Sequence, residues 1–152
     1  MRGVYEASIH IAGLNGLKTL ILLEVPAGKT LEILSASVTN ATNNTNQQLE
    51  AGFYNVTTLG SPAGTSVTPW QNEQGDAASS VTVLANLTAE PTTYNATSFA
   101  GMGFASLAGW QYQPVPEERL IMSPSKNWGL RLTDTAPTAF DCDARVSWRE
   151  IG

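Results

Sequence analysis

Period two governs most of this chain. In Phe140-Asp141-Cys142-Asp143-Ala144-Arg145-Val146-Ser147-Trp148-Arg149 every second residue is apolar and the residues between are polar, the mark of a strand with one face buried. Phe140, Cys142, Ala144, Val146 and Trp148 are its predicted inner face. Tyr5, Ala7, Ile9 and Ile11 likewise oppose Glu6, Ser8 and His10, and Trp128, Leu130 and Leu132 oppose Gly129 and Arg131. Further strands are predicted at about 17–25, 30–39, 48–57, 80–88, 109–113 and 119–123, punctuated by Asn15-Gly16, Pro26-Ala27-Gly28 and Asp134-Thr135-Ala136-Pro137. No segment sustains a 3.6-residue period. The best helical candidate, Ser98 to Leu107, contains Gly101 and Gly103, each costing about 1 kcal/mol in a helix, and reads as an irregular loop with at most one helical turn.

The segment 17–25 breaks the alternation. Ile21, Leu23 and Val25 fall on one face while Leu20 and Leu22 fall on the other, so both faces need cover, from an overlying loop or from another subunit. The excursions at 39–48, 58–79 and 89–108 are too long for hairpin turns and suit crossings between sheets. The expected fold is all-β: a jelly-roll-like antiparallel β-sandwich of about eight strands with Greek-key connections, spanning residues 1–152 as one domain. No repeat of 20 to 50 residues points to a propeller or a β-helix.

Composition narrows the functional classes. Only 14% of the 152 residues are charged, and Thr, Ser, Asn and Gly fill the positions that Lys and Glu usually take on a surface. Net charge is −5, and the eight Lys and Arg are scattered, which argues against a nucleic-acid partner. The greasiest run, Leu20 to Leu23, lies between Lys18 and Glu24 and is far too short for a membrane helix. The opening MRGVYEASIHIAG lacks the uninterrupted apolar core of a signal peptide. The one cysteine has no partner for an internal disulfide, which suits synthesis in a reducing compartment. Asn-x-Thr triplets begin at Asn40, Asn43, Asn55, Asn86 and Asn95; they read as the turn and strand chemistry of an Asn/Thr-rich β surface rather than as glycan acceptors.

Candidate chemistry is sparse. A Ser/His or Cys/His centre needs its base beside the nucleophile, yet His10 is the single histidine and is predicted on the polar face of the first strand, whereas Cys142 is on the apolar face of the last. One histidine and one cysteine cannot build a transition-metal cage. Asp141 and Asp143 share a strand face, and Glu73, Asp76, Glu117 and Glu118 fall in loops without the grammar of a calcium loop, so no metal and no cofactor are expected. Residues 68–80, TPWQNEQGDAASS, place Glu73 and Asp76 in a Gly-containing turn that offers neither carboxylate a reason for a raised pKa, and no paired-carboxylate cleft is expected. The stretch reads as a surface loop whose Trp70 anchors it to the body or to a neighbour.

With these residues in view, the chain resembles the small single-domain capsid decoration (cement or auxiliary) proteins of tailed bacteriophages. The resemblance rests on VYEASIHIAG, TLILLEVPAGKTLEILSASVTN, TPWQNEQGDAASSVTVLANLTAEPT and PEERLIMSPSKNWGLRLTDTAPTAFDCDARVSWREI, strand-and-turn patterns that span most of the chain. It implies a non-enzymatic, jelly-roll-like homotrimer, made in the bacterial host cytoplasm, that binds the major capsid protein on the outer surface of the virion and stabilises the mature shell. No catalytic residue carries over from the family. Within that frame the subunit interface is expected to include Leu20 and Leu22, the second face of segment 17–25, together with Trp70. The alternative is a trimeric tail-fibre or receptor-binding module that recognises a carbohydrate on a platform of Trp70, Trp110 and Tyr112.

Overall fold

A computed structural model describes residues 3–42 and 46–152. Asn43, one of the five triplet positions, lies outside the described residues. Twelve strands among them form two antiparallel sheets: β1 (Val4–Leu14), β2 (Lys18–Glu24), β3 (Thr30–Asn40), β4 (Gln48–Thr58), β5 (Ala63–Ser66), β6 (Trp70–Gln71), β7 (Thr82–Ala89), β8 (Thr93–Ala105), β9 (Trp110–Tyr112), β10 (Ile121–Met122), β11 (Asn127–Leu132) and β12 (Phe140–Ile151). The first sheet runs β10-β3-β12-β1-β6, with β9 also on β3, and the second runs β5-β7-β2-β11-β4-β8. No α-helix occurs among the described residues; Pro116–Glu118 makes one 3-10 turn.

The inner faces meet as the alternation predicts. Phe140, Cys142, Ala144, Val146 and Trp148 of β12 are all buried, beside Tyr5, Ala7 and Ile11 of β1, against Phe53, Leu130 and Leu132 of the facing sheet. Phe53 packs edge-on against Trp110 and Tyr112, with ring centroids 6.1 and 5.9 Å apart. Every predicted strand is present. The three extra strands, β5, β6 and β8, fall in two of the three long excursions, 58–79 and 89–108.

The largest difference is Ser98 to Leu107, expected as an irregular loop, where β8 continues to Ala105 as an edge strand on β4. Its glycines mark close backbone approach rather than a break in structure. A Cβ on Gly52 of β4 would sit 2.7 Å from the Gly101 Cα, so both positions lack side chains where the two strands crowd together. Register shifts along the β4–β8 ladder and the positive φ of Ala100 (54°) show how irregular the pairing is, which is why period two was obscured.

A bulge resolves the ambiguity of segment 17–25. Thr19 pairs with Arg131 and Ile21 with Leu130, so Leu20 is an extra residue in β2 with no counterpart in β11. It joins Ile21 and Leu23 in the main core, while Leu22 alone turns to the outer face. There Leu22 packs with Val56 and Leu87, under Leu59, Leu84 and Tyr94. Leu20 and Leu22 are both 0% exposed within this single chain. The expected subunit contact through Leu20 and Leu22 is therefore corrected: the chain covers that face itself, and neither side chain has surface left for a neighbour.

Gly52→Ala is expected to destabilise the protein by about 1–3 kcal/mol, because the added methyl meets backbone that cannot swing away as a side chain could. Denaturant unfolding checks this; an unchanged midpoint would mean that the β4–β8 crowding is not a constraint.

Candidate functional site: edges and outer faces

The loop that holds Trp70 is tied down by its own polar residues. The Asn72 N–H donates to the Val4 carbonyl at 3.0 Å, the Gly3 N–H to Asp76 Oδ2 at 2.8 Å, and the Tyr5 hydroxyl to the Ala77 carbonyl at 2.9 Å. The Glu150 carboxylate accepts from the Ser79 hydroxyl and from both the N–H and the hydroxyl of Ser80. Residues 72–80 are thus strapped across the first and last strands, and Asp76 is a structural acceptor. The strap presents β6 to the edge of β1, with Trp70 opposite Glu6 and Gln71 opposite Tyr5. Trp70 is 75% exposed, beside Thr68, Pro69, Gln71 and Gln74.

Trp110 and Tyr112 stand apart from it. Both are buried, packed on Phe53, and the Tyr112 hydroxyl donates to the Glu118 carbonyl and accepts from the Leu120 N–H. The sugar platform expected from Trp70, Trp110 and Tyr112 is not assembled: one aromatic is on the surface and two are in the core.

The outer face of the first sheet is a polar ladder. His10, Asp143 and Thr39 form one row across β1, β12 and β3, and Ser8, Arg145 and Ser37 form the next. His10 Nδ1 lies 2.7 Å from Asp143 Oδ1, and Arg145 pairs with Glu6. Asp141 Oδ1 accepts from the Gly13 N–H at 3.0 Å. The two rows of the ladder line an open trough of about 430 Å³. Both groups of the His10–Asp143 pair are more than half exposed, so water screens it and its contribution is small. Cys142 pairs in register with Ile11 and faces the core, on the opposite side of the sheet from His10. Burial, and then the nearby Asp143, push its thiol up to about 12, so it carries almost no thiolate at neutral pH. Among the described residues no three His, Cys, Asp or Glu side chains are grouped as metal ligands.

Two carboxylates do deeper structural work that spacing did not reveal. Glu32 of β3 is buried and holds Arg119 at 2.9 Å and Arg149 of β12, so the short run before β10 is tied to the centre of the sheet. The hydrogen bond from Arg119, aided by Arg149, outweighs desolvation and keeps the Glu32 carboxyl below its ordinary range. On the other sheet, Glu90 accepts the Thr19 N–H at 2.7 Å, the Thr19 hydroxyl and the Tyr94 hydroxyl. The Arg131 guanidinium lies 4.0 Å from the Tyr94 ring centroid and 5.4 Å from that of Tyr54. Gly129 makes room, since a Cβ there would come within 3.1 Å of the Tyr94 ring. This cluster closes the lid over Leu22. Two of the Asn-x-Thr triplets make local side-chain bonds: at the end of β3 the Asn40 side-chain oxygen accepts the Thr42 N–H, and within the irregular stretch of β8 that of Asn95 accepts the Thr97 N–H.

Glu32→Gln is expected to cost about 1–3 kcal/mol, limited because both arginines are partly exposed and can rehydrate. Because the folded pKa of Glu32 is depressed, its contribution is present above the unfolded carboxyl pKa and is lost as pH falls through the folded one. The difference between wild type and Glu32→Gln in chemical unfolding should accordingly shrink with acidification, and a constant difference would contradict the assignment. Cys142 should react with a thiol reagent no faster than the protein opens; rapid native labelling at neutral pH would show that it is not in the core. Compared with protein-family models, with curated proteins and with solved structures, the chain matches none.

Proposed function

We propose that this protein is a non-enzymatic structural component of a virion, a homotrimer that seats on the outer surface of a tailed-phage capsid and stabilises the shell. The observation that carries the reading is where apolar surface remains. Trp70, Met102, Val115 and Ile121 are exposed at or beside the sheet edges β6, β8, β9 and β10, while the polar side chains described above mostly tie the chain to itself. Leu17, Leu107 and Ile151 are exposed as well, and single apolar side chains are ordinary on a surface; those at the open sheet edges are the ones a neighbouring subunit could cover while pairing with the strand. The low charge density suits dense packing beside identical copies, where like charges would repel.

The strand order supports the jelly-roll reading. With β5, β6 and β7 set aside as an insertion between β4 and β8, the order β1-β12-β3 with β9 and β10 faces β2-β11-β4-β8, as in two interlocked Greek keys. In this role the molecule acts by mass action: a protein that binds only the assembled lattice shifts the equilibrium toward it, and many repeated contacts allow each to be weak. Trp70 favours a second reading, a carbohydrate-binding virion module. Its indole is open to a ligand, with Gln71, Gln74 and Thr68 nearby as hydrogen-bonding groups.

Purified particles from cells producing the tagged chain separate the two. Cement predicts co-sedimentation with intact shells at a copy number near that of the shell subunits, and lower heat resistance of shells lacking the chain. A few copies per particle, with Trp70-dependent glycan binding, would favour the second reading, and absence from particles would sink both.

A further inference from the structure

We infer that the Asn15-Gly16 turn is a site of spontaneous covalent modification: the Gly16 backbone nitrogen attacks the Asn15 side-chain amide, and the asparagine is converted to aspartate and isoaspartate with loss of ammonia. The inference is independent of the cement reading and holds whatever the protein binds.

Such a reaction needs a side chain free to fold back on the chain, a following nitrogen that is not tied into a ladder, and no bulk beside that nitrogen. Residues 15–17 are the whole crossing from β1 in the first sheet to β2 in the second, and they belong to neither strand. Asn15 is exposed, and among the described residues neither its side chain nor the Gly16 N–H has a hydrogen-bond partner within the chain. A Cβ placed on Gly16 would meet nothing within 4 Å, so the space around the attacking nitrogen is open. Glycine also leaves the backbone free to rotate into the geometry of attack. This is the one Asn-Gly pair in the sequence. Asn55, Asn86 and Asn127 lie inside β4, β7 and β11, where ladder hydrogen bonds fix the backbone, and are followed by Val56, Leu87 and Trp128. The side-chain oxygens of Asn40 and Asn95 are occupied by the Thr42 and Thr97 N–H groups.

Loss of the Gly16 amide proton to water makes the nitrogen a nucleophile toward Asn15 Cγ. The new N–Cγ bond closes a cyclic imide as the Cγ–Nδ2 bond breaks, and ammonia leaves. Water then opens the imide. Cleavage at Cγ restores the original backbone and leaves aspartate; cleavage at the main-chain carbonyl routes the chain through the side chain and leaves isoaspartate. One water is consumed and one ammonia released, and no oxidant, metal or enzyme is required. Either product adds a negative charge to a chain whose net charge is −5. The new carboxylate arises in an open depression of about 300 Å³ that Lys18, Thr88 and Glu90 also line. The flanking Leu14 and Thr19 are buried, so the change is confined to the exposed crossing between the sheets.

The test keeps the full chain folded in mildly alkaline buffer made with heavy-oxygen water and follows it by proteolysis and peptide mass spectrometry, beside Gly16→Ala and Asn15→Gln, each checked by circular dichroism for a wild-type fold. The wild type should convert at Asn15 before any other asparagine and faster as pH rises. Both isomers should form, each carrying a solvent oxygen, and anion exchange should resolve a more acidic form that grows in step with them. Gly16→Ala, whose added methyl has room in the fold, should convert several-fold more slowly. Asn15→Gln must close a larger ring and should keep its amide over the same time. The inference is overturned if Asn15 keeps its amide as long as the other asparagines do, or if Gly16→Ala converts as fast as the wild type. Conversion seen only after unfolding in denaturant, or aspartate formed without isoaspartate, would equally overturn it, the first by showing that the fold protects the turn and the second by showing direct hydrolysis without an imide.

Discussion

The second sheet has to be kept dry on both sides. Its inner face meets the first sheet in the ordinary way, but Leu22 and Val56 point outward, and in water they would be an apolar strip on an open sheet. The chain covers them with Leu59, Leu84, Leu87 and the Tyr94 ring, and holds the cover with Glu90 against Thr19 and with Arg131 beneath Tyr94. Burial pushes the Tyr94 phenol above its usual range, so it remains a neutral hydroxyl beside the Glu90 carboxylate. The bulge at Leu20 belongs to the same solution, since it sends two consecutive residues inward and leaves a single leucine for the lid.

That closure determines what the molecule can offer to partners. Leu22 and Val56, sealed from within, are out of reach of a partner, and exposed apolar side chains such as Trp70, Met102 and Ile121 are at the sheet edges instead. In a chain with few charges, the carboxylates of Asp76, Glu150, Glu32 and Glu90 are engaged in holding loops onto strands. The strap of residues 72–80 carries Trp70 to the edge of β1 and keeps it there, which limits the entropy lost when the indole meets a partner. The strap thus leaves one projecting aromatic at the edge of the first sheet.

How much of this was legible in sequence depends on how regular each strand is. β12 reads directly, because its residues alternate without interruption from Phe140 to Trp148 and each apolar one is buried. β8 does not read at all: Gly101 and Gly103 look like breaks, and only the crowding against Gly52 shows why side chains are missing there. Leu20 and Leu22 look like one face because strict alternation is assumed, and a single inserted residue in the pairing with β11 separates them. Glu32 sits in TLEIL as an ordinary polar position of a strand, with no local sign that Arg119, 87 residues away, would meet it.

Sequence alone determined the class of fold and the content of the core, since side-chain alternation is a local property that hydrophobic burial reads out strand by strand. It also bounded the chemistry, with one histidine on the polar face of the first strand and one cysteine on the apolar face of the last. Only the tertiary structure decided which apolar faces the chain covers for itself, which carboxylates are anchors, and that Trp70 is outside while Trp110 and Tyr112 are inside. Those outcomes depend on pairings between residues far apart in sequence, on one bulge and on backbone crowding between strands, and none of these leaves a periodic trace along the chain.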